Sequence, residues 1–228
     1  MRQPLAALAV LLVLALIAVA VRPGATPVGA ESDCVAVDDF SKAKVGEFPA
    51  DWKPRKDSGK AVYTVQEEGG KRFLRAVARN IGIQAAKQHD TWDLKEYPVL
   101  AWSWRAVEFP TGADEREAKK NDSALAVYAV FPHSPITVKS VKYVWSAVAP
   151  KDTHLTDSRG LTQVRVMETG AERRGQWVEA RVNVLEDYKK YFGGTEVPRP
   201  AGIAILTDSD DTKSSAQGDY ANFSVCRG

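Results

Sequence analysis

Two cysteines, Cys34 and Cys226, stand near the two ends of the folded part of this chain and limit how it can fold. A disulfide requires Cα atoms within about 7 Å of each other. Pairing of these two thiols would therefore make the first and last strands neighbours. In an oxidising compartment two thiols usually pair, whereas in a reducing one they could be unrelated buried residues. The cellular compartment to which the chain is sent decides between these alternatives.

The first thirty residues follow the plan of a secretory signal. Arg2 supplies positive charge, residues 5–21 are all apolar, and small residues lead to Ala30. That run of about 17 apolar residues is shorter than the ~20 that a membrane-spanning helix needs. We predict cleavage after Ala30, which leaves residues 31–228 periplasmic or secreted, with no stable membrane span and with the Cys34–Cys226 disulfide. Retention of the segment as an anchor is the alternative.

Residues 31–228 are long enough for one domain with a sizeable core. The 31 basic and 29 acidic residues nearly cancel and alternate along the chain. With no basic stripe, the composition excludes a nucleic-acid partner.

Short segments of alternating apolar and polar residues, separated by Gly-rich turns, predict about ten strands. Residues 122–131 are apolar on both faces and predict a central strand. Residues 67–71 predict a hairpin turn, and residues 162–168 are expected to pair with residues 176–184. Residues 185–192 predict one short helix. The fold class is therefore all-β: an antiparallel two-sheet sandwich.

Catalytic patterns are weak. Three histidines lie in loops, no serine stands in a nucleophile elbow, and no His/Cys cluster has the spacing of a transition-metal site. A glycoside hydrolase or lyase would need paired carboxyls across a cleft. The candidate carboxylates are Asp114, Glu115, Asp122 and Glu179.

Calcium needs only oxygen ligands, so it is the candidate cofactor. Asp38 and Asp39 lie in the first predicted strand, and Asp219 precedes the last one. If the disulfide joins those strands, the three carboxylates could bind a structural calcium ion. A second acidic group occupies residues 208–211. Ordinary solvated turn carboxylates are the alternative for both groups.

Aromatic residues are the remaining signal for ligand binding. Trp102 and Trp104 share one strand face, as do Tyr143 and Trp145. Such residues either fill the core or stack on a ligand. Together with nearby polar residues they give a predicted ligand-binding set: Trp104, Arg105, Asn121, Asp122, Tyr143, Trp145, Asp208 and Asp210.

Several stretches resemble a family of exported bacterial proteins known as domain of unknown function 3047. The stretches are residues 45–52, 92–105, 121–124, 142–146, 183–188 and 202–210. They span nearly all of residues 31–228, and the resemblance implies the family without an activity.

A looser likeness, in residues 37–40, 175–185 and 218–225, is to jelly-roll carbohydrate-binding modules. It implies a jelly-roll-like sandwich, a glycan ligand and a structural calcium ion near the first and last strands. Ala221 and Asn222 stand where such modules commonly carry a carboxylate, which departs from their calcium pattern. The likeness is one of fold and does not by itself transmit function.

The sequence thus favours a non-catalytic binding domain of the cell envelope for a polysaccharide or a small polar ligand. The alternatives are the hydrolase or lyase and a structural subunit of an envelope complex.

Overall fold

A computed structural model describes residues 33–157 and 159–228. The predicted signal segment, residues 1–30, and its cleavage point lie outside the described residues.

The described residues form thirteen strands, one short 3-10 helix (Asp57–Ala61) and one α-helix. In chain order the strands and the α-helix are β1 Cys34–Asp38, β2 Lys53–Pro54, β3 Tyr63–Glu68, β4 Lys71–Arg79, β5 Ala85–Gln88, β6 Val99–Glu108, β7 Leu125–Ser134, β8 Thr137–Ser146, β9 His154–Thr156, β10 Thr162–Thr169, β11 Val178–Asn183, α1 Val184–Phe192, β12 Gly202–Leu206 and β13 Ser215–Cys226.

The strands form two sheets. A six-stranded sheet has the order β11-β6-β13-β4-β3, with β1 paired to β13, and a seven-stranded sheet has the order β2-β5-β12-β7-β8-β10-β9. The predicted all-β, jelly-roll-like sandwich with one α-helix is confirmed. All pairs are antiparallel except β8 with β10, which are parallel. The predicted hairpin turn is also confirmed, because Gly69 and Gly70 take positive φ between β3 and β4.

The two sheets meet through aromatic side chains. On β6, Trp102 and Trp104 point inward, and on β8, Tyr143 and Trp145 face them. Trp102 lies 5.7 Å from Tyr143 and Trp104 lies 5.9 Å from Trp145, measured between ring centroids. All four side chains are at most 2% exposed. Aromatic pairs at this separation gain energy beyond the burial of their apolar area, so this contact holds the sheets together.

The first and last strands are neighbours, as predicted. β1 pairs antiparallel with β13, and its register sets Cys34 opposite Cys226. The two cysteines form a disulfide with Cα atoms 3.9 Å apart. The bond closes a loop that contains nearly the whole domain.

The predicted pairing of residues 162–168 with residues 176–184 is wrong. β10 lies in the seven-stranded sheet between β8 and β9, whereas β11 pairs with β6 in the six-stranded sheet. The loop between them crosses from one sheet to the other. Its start is fixed where the Gly170 N–H donates to the Ser146 carbonyl, and its end where the Gly175 N–H donates to the Ala106 carbonyl.

The α-helix begins at a side-chain cap. Asn183 accepts a hydrogen bond from the backbone N–H of Glu186 at 3.1 Å, as N-cap asparagines do. Tyr188 then packs on Phe131 of β7, with ring centroids 4.5 Å apart. Within the described residues no helix is both long enough and apolar enough to cross a membrane.

We predict that replacing Cys34 and Cys226 together by Ser will lower the free energy of unfolding by about 2–5 kcal/mol, because loss of the bond restores chain entropy to the unfolded state. Urea unfolding of the wild-type and double-variant proteins measures the difference. Under a strong reductant the two curves should coincide. A difference below about 1 kcal/mol would contradict the role given to the bond.

Candidate functional site

The aromatic part of the predicted ligand-binding set lies in the core. Trp104, Tyr143 and Trp145 are each 0% exposed. The Tyr143 hydroxyl donates to the buried Asp187 carboxylate at 3.0 Å, and the Trp145 indole donates to the Gly170 carbonyl at 3.1 Å. The prediction that these three residues contact a ligand is therefore wrong, because their rings are buried in the contact between the two sheets.

Arg105, also in the predicted set, lies on the opposite, outward face of β6. Sheet register places Arg75, Asp219 and Arg105 side by side on β4, β13 and β6. The Asp219 side chain is 0% exposed and accepts hydrogen bonds from Arg75 at 2.8 and 3.0 Å and from Arg105 at 2.8 Å. Hydrogen bonding to Asp219 raises the pKa of Arg75. A buried carboxylate needs such partners, so Asp219 serves as the anchor of two guanidinium groups.

Within the described residues, the predicted calcium ligands Asp38, Asp39 and Asp219 do not form a group of carboxylates close enough to hold one ion. Asp38 accepts hydrogen bonds from the Trp52 indole at 2.8 Å and from the Lys87 ammonium at 2.9 Å. Asp39 accepts from the backbone and hydroxyl of the nearby Ser41, which holds the pKa of Asp39 below its ordinary value. The prediction of a metal site there is wrong, because cations and hydrogen-bond donors of the protein already satisfy these carboxylates.

Beside Arg105, the outer face of the six-stranded sheet carries a cleft of about 440 Å³, which we call the Trp177 cleft. Trp177 precedes β11 and is 38% exposed, unlike the core tryptophans. Phe73 of β4 packs edge-on against it at 5.5 Å between centroids, and the Arg105 guanidinium lies 4.7 Å from its ring centroid. The other lining residues are Glu68, Lys71, Arg72, Ser103, Glu179, Ala221 and Asn222.

Trp177 and Phe73 were not in the predicted set, although the sequence carried a signal for Trp177. Val178, Ala180 and Val182 of β11 alternate and are all buried. Trp177 stands one residue before the first of these, on the parity of the outward-facing residues. Phe73 gave no such signal, because both Phe73 and Leu74 are apolar and buried.

The remaining predicted residues gather where the central strands β7 and β12 of the seven-stranded sheet begin and end. Asp122, Asp208 and Asp210, here called the acidic cluster, each offer a carboxylate oxygen within 4.8 Å of the others. Asp122 precedes β7 and Asp208 follows β12, which pairs with β7. Asn121 lies alongside and donates from its amide to Asp211 at 3.3 Å. The prediction that these residues bind a ligand stays a prediction; their proximity is observed.

The loop after β12 donates hydrogen bonds that hold the Asp122 carboxylate of the acidic cluster in place. Asp122 is 0% exposed and accepts hydrogen bonds from the backbone N–H groups of Asp211 and Thr212 at 3.1 and 2.7 Å, and from the Thr212 hydroxyl at 2.5 Å. Asp208 is 9% exposed, and among the described residues no donor reaches its Oδ1.

The two buried carboxyls of the acidic cluster have opposite pKa shifts. Burial raises the pKa of Asp208 to about 8; attraction to Lys142 opposes the rise, and the hydrogen bond to Asp122 adds to it. For Asp122, burial also acts to raise the pKa, but hydrogen bonds from Asp208 and Thr212 outweigh it and leave the pKa below its ordinary value. Carboxylates this close cannot all carry charge without relief of their repulsion.

Comparison with known proteins gives a family. Residues 50–224 match the family described as proteins of unknown function, DUF3047. The chain belongs to this family. No curated protein matches the DUF3047 chain.

Among solved structures, the DUF3047 chain is similar to the family 11 carbohydrate-binding module of the cellulosomal cellulase Lic26A-Cel5E of Clostridium thermocellum, at 8% identity and a TM-score of 0.48, covering 87% of this chain and 97% of that one. It is similar to the family 11 xylanase from Neocallimastix patriciarum at 12% identity and a TM-score of 0.40, covering 80% and 98%. It is also similar to TmCBM27, a mannan-recognising carbohydrate-binding module, at 12% identity and a TM-score of 0.37, covering 86% and 98%. Similarities at this level assign neither a ligand nor an activity.

We predict that Trp104→Ala will lower the free energy of unfolding by about 3–5 kcal/mol, because it leaves a cavity between the sheets. Trp104→Phe should cost less, since it keeps most of the ring and removes an indole N–H that is buried without a partner within the described residues. Urea unfolding of the two variants beside the wild-type protein measures both effects. Equal stability of Trp104→Ala and wild type would contradict the placement of Trp104 in the core.

Proposed function

We propose that this DUF3047 protein is an exported, non-catalytic domain that binds a neutral glycan in the Trp177 cleft. The observation that carries the proposal is the exposed Trp177 ring, set among hydrogen-bonding groups on a rigid sheet face.

The chemistry of the Trp177 cleft fits a sugar. A sugar ring has apolar C–H faces and a rim of hydroxyl groups that both donate and accept hydrogen bonds. Trp177 offers an apolar surface, and Arg72, Glu179 and Asn222 offer donors and acceptors around it. Small-molecule sites combine an apolar surface with a few placed polar groups in this way.

The charge of the cleft favours a neutral ligand. Three cationic side chains, Lys71, Arg72 and Arg105, line it together with the carboxylates of Glu68 and Glu179. The buried Asp219 carboxylate pairs with both Arg105 and Arg75, and Glu67 pairs with Arg72. With these neighbours included, four cations face four carboxylates. Because the charges balance, an anionic or cationic ligand gains little net attraction from the cleft, whereas hydroxyl groups can pair with either sign.

The cleft is also held in place before any ligand arrives. Arg105 bonds to Asp219 at 2.8 Å and to Glu68 at 2.9 Å, and its guanidinium supports the Trp177 ring. Each of these residues stands on, or directly beside, a strand of the six-stranded sheet. Groups fixed in advance reduce the entropy lost on binding.

A non-catalytic role is supported by the state of the carboxylates. Hydrolysis of a glycosidic bond needs one carboxyl as acid and another as base or nucleophile. In the Trp177 cleft Glu68 is ion-paired with Arg105, which leaves Glu179 as the other carboxylate of the lining. Asp122, a candidate from the sequence, is fully buried in the other sheet.

Export is supported by the Cys34–Cys226 disulfide, because such bonds persist in oxidising compartments and are rare in reducing ones. The signal-like pattern of residues 1–30 fits the same compartment.

We predict that Trp177→Ala will weaken glycan binding by roughly 10–100-fold, or about 1.4–2.8 kcal/mol, because it removes the stacking surface. Affinity electrophoresis against soluble β-glucan, xylan, mannan and galactan, followed by calorimetry with the best ligand, measures the loss. The matched control is Ile136→Ala, which removes another exposed apolar side chain, 92% exposed, in the turn between β7 and β8.

Binding unchanged in Trp177→Ala, or absent from the wild type across the panel, would overturn the glycan-binding proposal. The polysaccharide recovered after incubation should keep its chain length and gain no reducing ends. Turnover by the wild-type protein would replace the non-catalytic proposal with a hydrolase or lyase.

We predict that the full chain expressed in a Gram-negative host will be recovered from the periplasm with Glu31 as its first residue. N-terminal sequencing and intact mass give the cleavage point. Recovery of the uncleaved chain in the membrane fraction would show that the segment is kept as an anchor.

A further inference from the structure

The acidic cluster has a geometry that the glycan-binding proposal does not use. It lies at the ends of three adjacent strands of the seven-stranded sheet, where the start of β5, the end of β12 and the start of β7 meet. Asp208 is fixed by a bridge to Gly82 and by its N–H, which donates to the Ser123 carbonyl at 3.0 Å. The Trp177 cleft is on the other sheet.

We propose that Asp122, Asp208 and Asp210 bind a divalent cation, with Ca²⁺ as the best fit. The three carboxylates present oxygens within 4.8 Å of one another, a spacing at which one ion can contact all of them. Calcium takes six to eight oxygen ligands in a flexible arrangement, so main-chain carbonyls and water would complete the shell.

A second observation points to a ligand at this place. Asp208 is 9% exposed, yet its Oδ1 makes no hydrogen bond to any described residue. Buried polar atoms are almost always paired with protein, water or an ion. The unpaired Oδ1 of Asp208 therefore marks a place that a bound cation would satisfy.

The close approach of the backbone at Gly82 to the acidic cluster supports the same proposal. A Cβ at position 82 would lie 2.9 Å from Asp210 Oδ1, so the backbone at Gly82 passes close to the acidic cluster. Asp210 itself is exposed, which leaves a route from solvent to the carboxylates.

Protein cations do not replace the proposed ion. Lys142 is buried on β8 and attracts Asp208, but it also packs over Tyr128, 5.8 Å from the ring centroid. Lys213 donates to the main-chain carbonyl of Asp210 at 3.0 Å. Because Lys142 is shared between Asp208, Glu115 and Tyr128, it does not take the place of an ion bound to all three carboxylates of the acidic cluster.

Thermal unfolding of the chelator-treated protein, with and without CaCl₂, tests the proposal. Calcium at about one hundred times its Kd should raise Tm by roughly 5–10 °C for a domain of this size. Calorimetry should give one calcium ion per chain. NaCl at matched ionic strength should give no such shift, because the effect comes from binding and not from screening.

The decisive variant is Asp210→Asn, which changes an exposed ligand and should leave folding intact. It should weaken calcium binding at least tenfold and remove most of the Tm shift. The matched control is Asp57→Asn in the 3-10 helix, where the Asp57 side chain is 94% exposed; it should behave as wild type.

Asp208→Asn separates a ligand from a merely structural residue. Without calcium its Tm should equal or exceed that of wild type, because a buried amide has a lower desolvation cost than a buried carboxylate, and calcium should then give no shift. The proposal is overturned if calcium fails to bind and stabilise the wild type, or if Asp210→Asn binds calcium as tightly as the wild type does. Neither result bears on the Trp177 cleft, so the two proposals fail separately.

Discussion

The contact between the inward faces of β6 and β8 is the interaction on which the rest of the structure depends. Trp102 and Trp104 from one sheet meet Tyr143 and Trp145 from the other, and all four rings are withdrawn from solvent. Because side chains alternate along a strand, fixing the inward face of β6 also fixes its outward face. The same strand therefore delivers Arg105 to the Trp177 cleft. Core packing and site geometry are two consequences of one register.

The outward face of the six-stranded sheet also depends on strand register, across β4, β13 and β6. Asp219 stands opposite Arg75 on one side and Arg105 on the other, so a slip of one residue in β13 would turn its carboxylate toward the core. The neighbouring Tyr220 does point inward, where its hydroxyl donates to the Leu206 carbonyl at 2.8 Å. The register of β13 is therefore fixed by contacts on both of its faces: Asp219 on the outward face, and Tyr220, which reaches the other sheet, on the inward face. The row of charges that supports Trp177 is a product of that register.

The sequence was sufficient for the features that local pattern controls. Alternation placed Trp102 and Trp104 on one face, and the count and position of the cysteines gave the bond between the first and last strands. The sequence did not show which face of β6 lies in the core, because tryptophan is suited both to a buried core position and to an exposed ligand-binding face. It also could not foresee that Asp219 would meet Arg75, 144 residues away in sequence. Such contacts depend on strand order, which alternation does not encode.

The two proposed sites differ in what holds them, and this separates their roles. The Trp177 cleft is built on paired strands, so its side chains are positioned by backbone hydrogen bonds whatever the solution contains. The acidic cluster joins segments outside the strands, because the backbone N–H groups of Asp211 and Thr212 donate to the Asp122 carboxylate. A cation there would order these connections and not the cleft. The proposed metal binding should therefore act on stability, while the proposed glycan recognition would be set by the sheet itself.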